Sequence, residues 1–423
     1  MIFEITNIPL YKQKSLHWAA QLEVCSYLDS NNFTNSYSKF DALIAAGVKN
    51  EITANAGDAF DKLNQFRQEH SGWLTGFLSY DLKNETEHLT STNADKLHFP
   101  DLYFFEPQHV VIIRGNKVEI ISEDAELIFA QIEQQVIFPV QKPEDLNLQS
   151  RFSRDEYIDT FNRIKQHITR GDIYVTNFCQ EFYAQDATIH PVSIFTDLNR
   201  ISPTPFACFF KYHQQYILCA SPERFLAKRG DKLISQPIKG TARRGATEAE
   251  DNAIKLALRN NIKEQQENVM VVDMVRNDLT KSAVPGTVKT EELFGIYSFE
   301  QVHQMMSTVT CQIQQGLSSV EAIRNTFPMG SMTGAPKVSA MQLMEQHERT
   351  RRGVYSGAVG YFSPDDDFDF NVVIRTILCN AEERYLSFEV GSAITFDAVA
   401  GDEYNECLLK AKAILEVLKT SIN

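Results

Sequence analysis

Short apolar runs rich in β-branched and aromatic residues, joined by turns too tight for a crossover, dominate the second half of this 423-residue chain. His213-Gln214 separates one such run at 206–212 from the next at 215–220, and Asp365-Asp366-Asp367 separates 357–362 from 370–380. Parallel neighbours need a connection of about a dozen residues or more, so these turns demand antiparallel pairing. Further runs at 173–182, 302–313 and 385–394 extend the pattern. Helices are expected to intervene at about 249–277, 319–327, 337–348 and 403–418. The expected class is α+β, with two stacked, mainly antiparallel β-sheets covered by helices. The alternating βαβ order of a Rossmann or TIM layout is absent.

A seam is expected near 143–149. Before it, 73–82 reads as an apolar strand, and 103–119 as two strands broken at Gly115-Asn116 in the manner of a hairpin. After it, Ser153-Arg154-Asp155-Glu156 is a capping box, and Tyr157, Phe161, Ile164 and Ile168 follow at helical spacing until Arg170-Gly171. These signals divide the chain into a β-rich region at 1–148 and a second domain at 149–423. A net charge of -14 opposes binding to nucleic acid or an anionic membrane, and a soluble enzyme of small molecules fits better. Seven cysteines without a CxxC pair suit buried thiols in a reducing compartment. Met1-Ile2-Phe3-Glu4 lacks the cationic start of a signal peptide, and no apolar run reaches about 18 residues, so the cytoplasm is the expected location.

Several clusters carry potential chemistry. Lys239, in Gln236-Pro237-Ile238-Lys239-Gly240-Thr241, is a cation in an apolar stretch. Desolvation would favour its neutral, nucleophilic amine, whereas a stem reaching the surface would leave it ordinary. Glu223 lies in Ser221-Pro222-Glu223-Arg224-Phe225. Glu264 with Glu267, and Glu403 with Glu406, are pairs three apart that share a helical face; they suit either solvated surfaces or one hard cation such as Mg2+. The loop 327–337 holds Gly330, Ser331 and Gly334 ahead of a helix, fitting an anion site or a plain junction. Arg375, in the run 372–378, requires a carboxylate from the protein or a substrate. Gly391-Ser392-Ala393 reads as a small-residue turn whose amides can approach an anion. A lone strand histidine such as His303 is usually a satisfied structural one.

Together these motifs make the chain resemble the chorismate-utilising enzymes, a family including anthranilate synthase component I, aminodeoxychorismate synthase component I, and isochorismate and salicylate synthases. The resemblance spans about 153–418, through Gly171-Asp172-Ile173-Tyr174, Ser221 to Phe225, Pro237 to Thr241, Glu267-Asn268 to Asp278-Leu279, Gly330 to Lys337, Gly357 to Phe362, Ile374-Arg375 and Glu403-Tyr404-Asn405-Glu406. It is looser in the N-terminal half. Members that attack with a covalent lysine read Pro-Ile-Lys-Gly-Thr, where anthranilate synthases typically carry alanine. Isochorismate-type enzymes instead place a lysine on the strand matching 174–180, and none is present here.

The resemblance therefore implies the aminodeoxychorismate synthase branch, converting chorismate and ammonia to 4-amino-4-deoxychorismate for para-aminobenzoate and folate. It implies Lys239 as nucleophile and Glu223 as acid. Glu267 and Glu406 would hold Mg2+, with Glu264 and Glu403 behind them. Arg375, Tyr355 and Gly391-Ser392-Ala393 would hold a carboxylate, and His303 and Ser331 would contact the ring. A raised Glu223 pKa is expected in a closed apolar site. Some members hold a tryptophan pocket in the N-terminal half, which Leu28-Asp29-Ser30 permits here. None of the cysteines sits on a glycine-flanked nucleophile turn, so ammonia would come from a separate glutamine amidotransferase subunit or from solution. Another chorismate enzyme, chiefly anthranilate synthase, and a non-catalytic homologue are the alternatives.

Overall fold

In the computed structural model, residues 1–137, 139, 146–300 and 302–420 are described; part of the expected seam, 143–145, lies outside them. All pairings between strands are antiparallel, and they form two runs that share one pair of long strands, Ala42–Ala54 and Leu102–Arg114. One end of Leu102–Arg114 pairs with Lys117–Ile121, in the register Arg114 to Lys117 that the Gly115-Asn116 turn dictates. From Ala42–Ala54 the first sheet continues through Val24–Asp29, Phe206–Tyr212, Gln215–Ser221, Thr376–Asn380, Tyr385–Ile394 and Val175–Ala184. The other end pairs with Leu74–Leu78 and leads through Ala358–Phe362, Phe368–Asn371, Arg224–Arg229 and Lys232–Gln236 to Val302–Gln312. Strands Ile238–Arg243 and Lys289–Ser298 finish this second sheet.

Side-chain alternation decides what each sheet face meets. In Phe206–Tyr212, Ala207 and Phe209 enter a core closed by helices Ile8–Ala19, Arg154–Arg170, Pro191–Ile201 and Ala400–Leu418. Cys208 and Phe210 of the same strand enter a second core between the sheets, completed by helices Ala59–Glu69, Ile262–Thr280 and Ser319–Thr326. Burial of each such phenylalanine is worth about 1.5–3 kcal/mol, which makes both faces obligatory. The seven cysteines are buried free thiols. No helix among the described residues is long and apolar enough to cross a membrane.

The α+β architecture matches expectation, and so does the Ser153 capping box, closed at the far end by Gly171 in the left-handed region. Three local expectations change. The run 249–277 is two helices, Glu248–Arg259 and Ile262–Thr280, because the Asn261 side chain accepts from the Glu264 amide at 3.3 Å and starts a new helix. The run 370–380 breaks at Arg375, whose φ of 54° ends one strand before Thr376 begins the next. Gly391-Ser392-Ala393 is no turn: it continues the strand Tyr385–Ile394, opposite Cys179, Phe178 and Asn177. Its small residues are needed for close strand approach, since a side chain at Gly391 would meet the Asn177 amide at 2.6 Å.

Candidate active site

Strand ends and one helix bring Lys239, Glu267, Ser331 and Ala393 to the walls of one small cavity, with Thr176 and Asn177. Lys239 enters from the bulged start of Ile238–Arg243, where pairing to Val302–Gln312 shifts between Ile238 and Thr241. Gly240 is required at this bulge: its φ is 102°, and a side chain there would press on Glu264 and Met305 at 3.1 Å. Asn268 fixes the local backbone by donating to the Lys239 carbonyl at 3.3 Å while accepting from Ser307 at 2.6 Å. The Lys239 ammonium itself has no hydrogen bond or ion pair among the described residues.

Glu223 stands in the short link between Gln215–Ser221 and Arg224–Arg229, with its amide bonded to Ser221 Oγ at 3.2 Å and its carbonyl accepting from Val372. The carboxyl is buried, and burial pushes it up to about 7; the Ser331 hydroxyl and the Lys239 ammonium pull the other way and lose. A carboxyl titrating there carries a proton at neutral pH for part of the time and can deliver it.

The two glutamate pairs face each other across helices Ile262–Thr280 and Ala400–Leu418. Two lysines that the motif reading passed over lie among them. Lys263 Nζ is 3.9 Å from Glu267 and 3.8 Å from Glu403, while Lys410 Nζ is 2.7 Å from Glu406 and donates to the Gly391 carbonyl at 2.8 Å. Each is four residues from a glutamate of its own helix, a spacing visible in the sequence. Burial and then Glu406 push Glu403 up to about 7, and burial and then Glu267 raise Glu264. Burial also works against ionised Glu406, but Lys410 outweighs it and its pKa is lowered. Oxygen donors carrying this much uncompensated charge suit Mg2+ by chemistry. As placed, no three His, Cys, Asp or Glu side chains among the described residues close around an ion, and Lys263 is the cation they share.

On the far side, the amides of Gly391 and Ala393 point away from Val175–Ala184. Cys179 donates to Glu348 and Asn177 to the Thr333 carbonyl, so their cross-strand pairs with Gly391 and Ala393 are the non-hydrogen-bonded kind. Beyond Phe388 that outer edge has no paired strand among the described residues. Ser392 turns the other way, to the Tyr157 hydroxyl at 3.1 Å. Arg375, half-buried at its strand break, makes no ion pair or side-chain hydrogen bond among the described residues; its charge is felt by Tyr355 and Glu406. Tyr355 is buried, and burial followed by the Cys179 thiol raises its hydroxyl pKa.

His303 stands apart from this group. Its ring is fully buried, with Nε2 2.8 Å from Asp251, itself clamped by Arg244, and Nδ1 2.9 Å from Ser298. Both nitrogens are engaged, so the expected ring contact gives way to a structural Ser298–His303–Asp251 chain. A second cavity lies between the sheets' rims, walled by Leu28, Asp29, Ser30, Phe206 and Tyr361. Within it Asp29 is already held by Lys12 at 2.7 Å and by the Tyr27 hydroxyl at 2.8 Å. A larger, more open cavity shares Met270 and Met274 with the Lys239 cavity and opens past Tyr174 and Lys337. Lys337, at the end of the 327–337 loop, is bound to Asp278 at 2.5 Å.

Residues 23–416 match the family model described as chorismate binding enzyme. Aminodeoxychorismate synthase component 1 of Bacillus subtilis (strain 168) is 33% identical over 370 residues, covering 84% of this chain and 78% of that protein. Aminodeoxychorismate synthase of Streptomyces griseus is 40% identical over 275 residues; the match takes in 64% of this chain but 37% of that longer relative. Among solved structures, anthranilate synthase component I from Streptococcus pneumoniae TIGR4 superimposes with a TM-score of 0.77 at 23% identity, over 90% of this chain and 95% of that one, which establishes the shared fold. The chain thus belongs to the chorismate-binding enzyme family.

Proposed function

We propose that the protein is an aminodeoxychorismate synthase component I, converting chorismate and ammonia to 4-amino-4-deoxychorismate on the route to para-aminobenzoate and folate. The observation that carries this reading is the lysine at 239, unpaired in a cavity and close enough to buried Glu223 to act on its titration. Lys239 Nζ adds to ring carbon 2 as the carbon 4 hydroxyl leaves, protonated by Glu223 to water. Ammonia then adds at carbon 4 and expels the lysine amine, and its surplus proton returns to the Glu223 carboxylate. Two substitutions replace one displacement of hydroxide.

Arg375 and the outward amides of Gly391 and Ala393 supply positive character for one substrate carboxylate, with Tyr355 beside them. Glu267 and Glu406 would hold Mg2+, with Glu264 and Glu403 behind; the ion supplies charge for the other carboxylate when bound. Ammonia comes from a separate glutamine amidotransferase subunit, and the cytoplasm is the compartment that suits the free thiols. The cavity at Leu28, Asp29 and Ser30 is the place for tryptophan, should this chain bind it.

Incubation with chorismate, Mg2+ and ammonium is expected to yield a product of the mass of 4-amino-4-deoxychorismate, without anthranilate fluorescence. Lys239→Ala and Glu223→Gln should each lower turnover by about 10²-fold or more. Fluorescent anthranilate in the absence of an added lyase would assign the chain to the other branch, and undiminished turnover in both variants would end the catalytic assignment.

A further inference from the structure

Lys263 stands where helix chemistry would not put it. It is the second residue of helix Ile262–Thr280, after the Asn261 cap, where the positive end of the helix dipole favours an acid and opposes a cation. The helix gains nothing from it, but the glutamates do. Its ammonium lies 3.9 Å from Glu267 on its own helix and 3.8 Å from Glu403 on Ala400–Leu418, so one lysine spans both carriers of the carboxylate cluster. Burial works against its charge, and Glu267, Glu403, Glu264 and Glu406 together outweigh it. Lys410, the other cation that pairs within the cluster, is fixed by Glu406 at 2.7 Å and by the Gly391 carbonyl at 2.8 Å. Lys263 has no comparable tether. Both of its contacts are long, it makes no hydrogen bond among the described residues, and 51% of its side chain is exposed, so turning it into water costs little.

We propose that Lys263 is a displaceable counter-ion of the metal site, its ammonium competing with Mg2+ for the Glu267 carboxylate while anchored on Glu403. An ammonium and a divalent cation repel each other across one carboxylate, so the lysine must swing outward for Glu267 to take up the ion. Its half-exposed stem permits this without movement of either helix. In place, the ammonium offsets the repulsion between glutamates on two facing helices, a task left to it because Lys410 is committed to Glu406. The lysine thus lowers the affinity of the site for the free ion. The inference rests on the reading of Glu267 and Glu406 as Mg2+ ligands, and it gives a role to a residue that no motif includes.

The test is calorimetric titration of Mg2+ into the full chain at pH 8, in wild type and in Lys263→Met, Lys263→Arg and Glu267→Gln. Lys263→Met keeps the stem and removes the charge at a half-exposed position, so it should fold as wild type does. Its affinity for Mg2+ should rise about tenfold. Lys263→Arg keeps the charge and should bind the ion within about threefold of wild type. Unchanged or weaker Mg2+ binding in Lys263→Met overturns the proposal. An equal gain in Lys263→Arg does so too, since it would make the effect one of shape. Glu267→Gln should lose the ion, and that loss beside unchanged affinity in Lys263→Met keeps the metal reading and removes this inference alone. Wild-type affinity in Glu267→Gln removes both, as does an absence of Mg2+ binding in wild type and Lys263→Met alike.

Discussion

Glu223 is kept in apolar surroundings that raise its carboxyl to about 7, whereas the same group in an unfolded chain titrates near 4.3. Between those values the folded protein holds a proton that the unfolded chain has lost. Stability conferred below about pH 4.3 is therefore given up as pH rises toward 7, at about 1.4 kcal/mol per pH unit and on the order of 4 kcal/mol in all. Glu223→Gln cannot titrate, so its stability difference between pH 5 and pH 8 in denaturant melts should be smaller than that of wild type. Identical pH dependence in the two proteins would count against burial as the cause. Turnover, which needs the acid form, should decline above about pH 7. The residues that carry this argument were legible because each sits in a motif. Lys263 and Lys410 were not singled out, because they look like ordinary helix-face charges until the two helices meet.

At the scale of elements, Arg352 ties together two walls of the cavity. Its guanidinium grips Glu348 through two bonds, at 2.9 and 2.6 Å, and donates to the carbonyls of Met332 and Asn177, both at 2.8 Å. Glu348 also accepts from the Cys179 amide. All of this is buried, so Glu348→Ala would strand a guanidinium and cost about 3–5 kcal/mol, whereas a paired replacement by Met and Leu should be far closer to neutral. Chemical denaturation of the single and double variants checks this, and equal losses would point to packing instead. Elements were read well where their signals were local. The bounds 206–212 and 385–394 came directly from apolar runs, and Ser153 announced its helix. Gly391-Ser392-Ala393 misled because small residues favour turns in isolation, while here they let two strands approach; Arg375 misled because its apolar neighbours hid a left-handed break. The strands at 224–243 escaped notice because charged residues interrupt their apolar ones, and some of those charges are buried in ion pairs, such as Arg224 with Asp369 at 2.9 Å.

Across the described residues, two strand pairings stitch the regions 1–148 and 149–423 together, beside an isolated bridge from Ala94 to Thr350. Val24–Asp29 pairs with Phe206–Tyr212, and Leu74–Leu78 pairs with Ala358–Phe362. Residues 149–423 expressed alone would expose both of those strand edges and much of two cores. They are expected to aggregate, and co-expression with 1–148 to rescue solubility. A soluble, monomeric 149–423 with native circular dichroism would argue that the seam separates independent units. Composition announced an α+β chain with ample core, yet it could not announce this stitching, because strand partners far apart in sequence are chosen by shape rather than by local signal.

The strand that alternates between the two cores acts as a reading frame. Insert one residue into 206–212 and Phe209 would trade places with Phe210, each entering the core shaped for the other. Lineages of this protein should therefore gather their insertions at turns such as 213–214 and 382–384, and vary within such strands by substitution alone.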